Sequence, residues 1–271
     1  MPAPFEGAKF DRLTFVSCPV EMFFKELELA HGTGIIWRNE NGLNLITNWH
    51  NVTGKNPFNN SLLNKGGSVP DRVRVHVARR ELTSGKTSIV RDPIDISLYE
   101  HFADPFWKQH KEFEKQRIDV VSLPFECDRP ETVICLQDYT YENIFTHVGS
   151  DVFIVGFPSK DYKQHMPPIW KRGSLASEPL LMWHDKPAFL IDAASRAGMS
   201  GSPVFRRVFG PVTIVQGSGL GMQLDNVMAT NFIGIYSGHL SDIDDKLTIG
   251  IAWPSDIVEA IMEFPAPGTR D

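Results

Sequence analysis

The chain has 271 residues, 42% of them hydrophobic and 22% charged, enough for one large domain or two small lobes with properly buried cores. Its formal net charge of -6 gives no electrostatic basis for binding nucleic acid, which calls for a basic stripe; the pairs Arg79-Arg80 and Arg206-Arg207 stand alone. No apolar run reaches the roughly 18 residues a spanning helix needs, and the opening MPAPFEGAKFDRLTF lacks the basic-then-apolar order of a secretory signal, so neither membrane nor export is expected.

Taken in chain order, the first half carries GTGIIWR, LNLITNW, VRVHVAR and IDVVSL. The second half carries DVFIVGF, FLIDA, VTIVQG, FIGIYSG and LTIGIAW. Each is a short apolar stretch with β-branched residues, bounded by turn residues, and reads as a strand. Many short strands predict an all-β protein, a sandwich or barrels. The alternation with long amphipathic helices that an α/β protein would show is missing. Residues 99–117, YEHFADPFWKQHKEFEKQR, are charged and aromatic and read as an exposed loop or short helix. A waist is expected near residues 126–145, between two strand-rich halves. PSDIVEAIMEF predicts a helix over about 255–264, with Ser255 as N-cap and Ile257, Val258, Ile261 and Met262 on one face. Pro265 and Pro267 end it. The three cysteines, Cys18, Cys127 and Cys135, cannot all pair and show no CxxC spacing. Free thiols in a reducing, cytoplasmic setting are expected.

The stretch AGMSGSPVF, residues 197–205, sets Ser200 between small residues. A serine hydroxyl is a poor nucleophile at neutral pH unless a neutral imidazole lies within hydrogen-bond reach and a carboxylate fixes that imidazole's tautomer. Of the nine histidines, His50 stands out because it closes the apolar strand LNLITNWH and would project from a rigid edge. Two carboxylates suit the third role: Asp119 in RIDVVSLPF and Asp95 in DPIDISLYE, which local sequence does not separate. Gly198 permits a positive φ, so the N–H groups of Gly198 and Ser200 can converge on one point as an oxyanion hole.

Together, GTGIIW, LITNWHNV, RIDVVSL, DVFIVGFP, AGMSGSPV, FIGIYSG and IGIAWPSDIVEAI resemble the trypsin-like serine peptidases. Within the chymotrypsin fold they are most similar to its bacterial intracellular and HtrA-related branches. The resemblance spans about residues 30–262 and implies two six-stranded antiparallel β-barrels, about 10–125 and 145–253, closed by the terminal helix. It implies His50 as general base, Asp119 rather than Asp95 as orienting acid and Ser200 as nucleophile, with the oxyanion hole at Gly198 and Ser200. The family chemistry is cleavage of peptide bonds through an acyl-enzyme, with protein or peptide substrates and no metal or organic cofactor.

The chain also departs from the secreted digestive members. Met199 precedes the nucleophile where they carry an aspartate that pairs with a new N-terminus, so activation by N-terminal processing is not expected. Asn51 follows His50 where they carry a disulfide cysteine. No PDZ-like extension follows the terminal helix, so an HtrA-type regulated oligomer is not expected. Ala194 stands at the base of the specificity pocket, with Ser237, Gly238 and His239 as its wall; an acid at 194 would select Arg or Lys. An α/β-hydrolase elbow, GxSxG with Ser202 at the last position, is the competing use of the serine motif. It would need a strand-to-helix turn and a later histidine, and His239 leaves too little chain. None of the cysteines lies in the motif, which excludes a cysteine nucleophile there. A peptidase-fold binding module, inactive or activated only by a protein partner, is the alternative function.

Overall fold

The computed structural model describes residues 10–100, 104–159, 166–194, 196–216, 219–239 and 248–270. The first half forms strands β1 (Ser17–Phe24), β2 (Leu27–Asn39), β3 (Gly42–Thr47), β4 (Arg72–Thr83), β5 (Lys86–Ser97), β6 (Tyr99–Glu100), β7 (Asp104–Pro105), β8 (Lys108–Gln109) and β9 (Val121–Phe125). Helix α1 (Trp49–Thr53) follows β3, and α2 (Phe113–Gln116) precedes β9. The second half holds β10 (Asp151–Gly156), β11 (Ile169–Leu175), β12 (Phe189–Asp192), β13 (Pro203–Gln216), β14 (Gly219–His239) and β15 (Ile249–Pro254). Helix α3 (Ser255–Glu263) and β16 (Ala266–Pro267) complete the chain.

The fold is all-β, in two strand-rich halves. In the second half six strands close a barrel in the order β10-β11-β12-β15-β14-β13. In the first half eight strands join in one sheet, β16-β8-β9-β3-β2-β1-β4-β5, where six in a closed barrel were expected. The extra members are short edge strands: β16 crosses back from beyond α3 to pair with β8, at Ala266↔Gln109 and Pro267↔Lys108. Besides the two-residue strands, three longer ones escape the apolar-run pattern. In β1, β5 and β11 (SCPVEMFF, KTSIVRDPIDIS and IWKRGSL) apolar and polar residues mix. Their pairing is set by neighbours rather than by composition.

Apolar side chains collect in three large clusters and a small fourth around Ile144 and Ala229. Ile36, Leu45, Val75, Trp107 and Phe113 fill the first sheet, and Val152, Ile154, Phe189 and Tyr236 fill the barrel. A third cluster joins the halves: Val16, Ile35, Ile46 and Val120 meet Val155, Phe205, Ile235 and Trp253. Helix α3 contributes Ile257, Val258 and Ile261 to this third cluster, with Met262 packed against it, as the helical spacing predicts. Each such side chain taken from water contributes about 1.5–3 kcal/mol, so the junction between the halves is an apolar core and not a loose hinge.

Two local expectations need correction. Ser255 is the first residue of α3, not its cap; Pro254 holds the N-cap position and no side chain caps the helix. The segment 99–117 is not an exposed loop throughout. Trp107 and Phe113 are fully buried; Trp107 meets Tyr99 edge-on at 5.7 Å and Phe113 packs on Trp49 at 5.1 Å. Lys108, Lys111, Glu114 and Lys115 face water while Trp107 and Phe113 pack in the first sheet's core. Among the described residues, no helix is long and apolar enough to cross a membrane.

Candidate active site

The register of one strand pair brings His50 and Asp119 together. β3 and β9 run antiparallel with Thr47 opposite Val121, so the residues just after β3 meet those just before β9. His50 is therefore not at a strand end but within the short helix α1, just past the N-cap Asn48. The helix is pinned at both ends. Asn48 Nδ2 donates to the Asp119 backbone carbonyl at 2.6 Å, and Gly54, in the left-handed region at φ 67°, donates its N–H to His50 O at 2.9 Å. Trp49 is fully buried and donates Nε1–H to Thr269 O at 3.1 Å.

Asp119 is completely buried, which a carboxylate tolerates only when its lone pairs are satisfied. Three donors do this. The His50 backbone N–H reaches Oδ1 at 2.8 Å, His50 Nδ1 reaches Oδ2 at 2.6 Å, and the Ser237 hydroxyl makes a short bond to Oδ2. A carboxylate only accepts, so it fixes the proton on Nδ1 and leaves the Nε2 lone pair facing outward. The His50 ring remains 15% exposed at a cavity edge. Asp95 is elsewhere. It sits on β5 with its carboxylate forked by Arg74 at 2.7 and 2.9 Å, and the Arg74 hydrogen bonds hold its carboxyl below the usual value.

Ser200 lies in the turn that enters β13. Gly198 and Gly201 adopt φ of 93° and 86°, which a side chain rarely allows. A Cβ on Gly198 would overlap Phe157 O and the His31 ring, and one on Gly201 would overlap Thr33 O. In this turn Met199 N–H donates to Arg196 O, Gly201 N–H to Tyr236 O and Ser202 N–H to Met199 O. The N–H groups of Gly198 and Ser200 donate to no backbone carbonyl among the described residues. Ser200 Oγ donates to Ser237 O at 3.0 Å.

Contacts from the first half hold this turn. Thr33, buried in β2, donates its N–H to Ser200 O at 2.8 Å and its hydroxyl to Gly198 O at 2.8 Å, while that hydroxyl accepts Phe157 N–H at 3.0 Å. Asn51 Nδ2 lies 3.5 Å from Ser200 O. Thr33 and Asn51 carry no sequence signal of this role, since each bonds a segment more than a hundred residues away. The Ser237 bond to Asp119 is also absent from any local pattern.

His50, Ser200 and Gly198 line one cavity of about 210 Å³. Ser237 and Gly238 lie behind Ser200; a Cβ on Gly238 would stand 3.6 Å from Ser200 Oγ. Ala194 is exposed beyond β12 and does not line that cavity. His239 ends β14, and its side chain lies outside the described residues.

The site thus joins a buried carboxylate, a histidine and a serine on a glycine turn within a two-part all-β fold. The profile of the trypsin-like peptidase domain matches residues 32–210, and the chain belongs to that family. No curated protein matches the chain in sequence. Among solved structures, an inactive form of the Rv3671c protease aligns at 14% identity, covering 93% of this chain and 90% of that one, with a TM-score of 0.42. A serine-to-alanine mutant of Rv3671c from M. tuberculosis H37Rv aligns at 12% identity over 97% and 90% of the two chains, TM-score 0.43. The serine endoprotease from Yersinia pestis aligns at 14% identity over 92% of this chain and 62% of that one, TM-score 0.46.

Proposed function

We propose that the protein hydrolyses peptide bonds of protein or peptide substrates, with Ser200 as nucleophile, His50 as general base and acid, and Asp119 as orienting carboxylate. The observation that carries this reading is the buried Asp119 on His50 Nδ1 at 2.6 Å, with His50 and Ser200 lining the same cavity. Ser200 Oγ attacks the carbonyl carbon and its proton passes to His50 Nε2. The carbonyl oxygen takes the electron pair and is held by the N–H groups of Gly198 and Ser200, each such donor contributing about 2.7–4 kcal/mol in the transition state. As the C–N bond breaks, His50 returns the proton to the departing amine, leaving an acyl-enzyme. Water then attacks with His50 again as base. Every participating group is a protein group, so the chemistry requires no metal or organic cofactor.

Where the family resemblance sets the base of the acyl-side pocket, Ala194 supplies no acid, so cleavage after Arg or Lys is not expected. The free thiols of Cys18, Cys127 and Cys135 fit a cytoplasmic, reducing setting. One observation favours a second reading, a site gated by a partner: Ser200 Oγ is bonded to Ser237 O and must turn toward His50 to react. Labelling with a fluorophosphonate probe decides between them. Modification of the isolated wild type but not of Ser200→Ala supports a constitutive peptidase. No labelling of folded wild type sinks that reading in favour of a gated or inactive site.

A further inference from the structure

The cavity that His50 and Ser200 share extends away from Ser237 and Gly238. Its remaining walls come from the first half: Met22 and Leu29 on the β1–β2 hairpin, and Leu63 and Pro70 on the segment after α1. Among the described residues no Asp, Glu, Lys or Arg lines it, and Asn51, Asn64 and Ser68 are its few polar contributors besides the histidines and Ser200. The wall is fixed in place. Leu63 N–H donates to Gly54 O at 2.8 Å, and Asn64 Oδ1 holds Gly66 N–H at 2.7 Å. Leu63 is about half exposed at its rim, at 52%. Apolar surface of this kind beside a reactive site marks a place where a ligand completes the packing.

Chemistry assigns the direction. His50 must hand its proton to the departing amine, so the residue bearing that amine lies beside the imidazole. The cavity borders His50 and continues along α1 through Asn51 to Gly54, whereas the strand segment Ser237–Gly238 flanks Ser200 from behind. We infer that this cavity receives the side chain of the residue on the leaving side of the scissile bond and that it selects a medium or large apolar side chain there. This rests on the proposed peptidase reading and names a substrate class for it: peptides with Leu, Met, Ile or Phe immediately after the cleaved bond. A charged side chain would lose water and meet no Asp, Glu, Lys or Arg among the described lining residues, and is disfavoured.

Partitioning of an acyl-enzyme isolates this side of the site. The acyl-enzyme is formed from one ester substrate, and amino-acid amides then compete with water for it. Leucine, methionine and phenylalanine amides are expected to capture the acyl group at least about 10-fold better than aspartate or lysine amides, the scale of discrimination a hydrophobic pocket supplies. Leu63→Ala should narrow that ratio by several-fold. Leu63→Glu, at a half-exposed position that tolerates charge, should move the preference toward lysine amide. Equal capture of all amides by a normally formed acyl-enzyme, or no change of ratio in both Leu63 variants, overturns the inference and leaves the triad standing. Failure to form any acyl-enzyme overturns the constitutive peptidase reading and the inference with it.

Discussion

The two halves carry their parts of the site in different ways. In the N-terminal sheet, His50 and Asp119 are fixed by one antiparallel register and by two bonds between the same pair, 2.8 Å at the backbone and 2.6 Å at the ring. In the barrel, Ser200 stands on a turn built from two positive-φ glycines. That turn is tied to the first half through Thr33 and Asn51. The His50–Asp119 pair is thus a property of one half, whereas the placement of Ser200 relative to His50, the proposed nucleophile and base, is a property of the junction. Damage within a half should separate activity from stability cleanly; damage at the junction should change both.

The largest effect separates the roles within the site. Ser200→Ala or His50→Ala is expected to lower kcat by about 10⁶-fold, the scale seen when a member of such a unit is removed. The urea unfolding midpoint of Ser200→Ala should stay close to wild type, because the hydroxyl is partly exposed and donates to one carbonyl. Asp119→Asn should cost about 10⁴-fold in kcat, since an amide can stabilise the wrong imidazole tautomer. Equal activity of wild type and Asp119→Asn would break the link between the buried pair and turnover.

The junction is probed next. Thr33→Val keeps the shape of a buried side chain but removes the bonds to Gly198 O and Phe157 N–H. It should cost about 1–3 kcal/mol of stability by leaving buried polar groups unpaired, and it should slow acylation as well. Loss of stability with unchanged acylation would show that the turn holds its form without the first half.

The smallest effect concerns the outer tie between the segment before β1 and the barrel. Asp11 is forked by Arg207 at 2.6 and 3.0 Å, and Arg207 lies over the Trp170 ring at 4.5 Å. Burial works to raise the Asp11 carboxyl, but the Arg207 hydrogen bond, the Leu13 N–H and the Arg207 charge outweigh it and hold it below its usual value. A carboxylate lowered on folding adds stability that is complete above its ordinary value and is lost as pH falls through the folded value. Asp11→Asn should therefore cost at most about 1 kcal/mol at pH 7, because the pair is partly screened by solvent. Urea titrations should show that difference shrink as the pH is lowered below about 4. A difference that persists in acid would locate the effect in packing rather than charge.

Much of this was legible from residues alone because the signals are local. Strand-forming runs such as DVFIVGF and LTIGIAW need only their own β-branched residues, and α3 announces its buried face through Ile257, Val258 and Ile261. AGMSGSPVF likewise carries its turn in its own glycines. Other features resisted reading because their cause lies far along the chain. β1 mixes Glu21 and Pro19 with apolar residues and is a strand because β2 and β4 flank it. Trp107 and Phe113 sit in a charged segment and are buried because Trp49 and Tyr99 meet them. His50 reads as a strand end, since nothing in LNLITNWH shows the chain turning into α1.

By itself, the sequence determined an all-β chain, a glycine-framed serine and a histidine with two possible carboxylate partners. Local backbone preference and hydrophobic pattern are written residue by residue. The tertiary structure brought Asp119, the acid that the family resemblance favoured over Asp95, to His50; it alone decided that Ser237 supports that carboxylate and that Thr33 holds the Ser200 turn. It also decided that Met22, Leu29, Leu63 and Pro70 come to line one cavity with His50 and Ser200. Each of these is a contact between distant segments, fixed by strand register and by the packing of one half on the other, and no single stretch of sequence contains it.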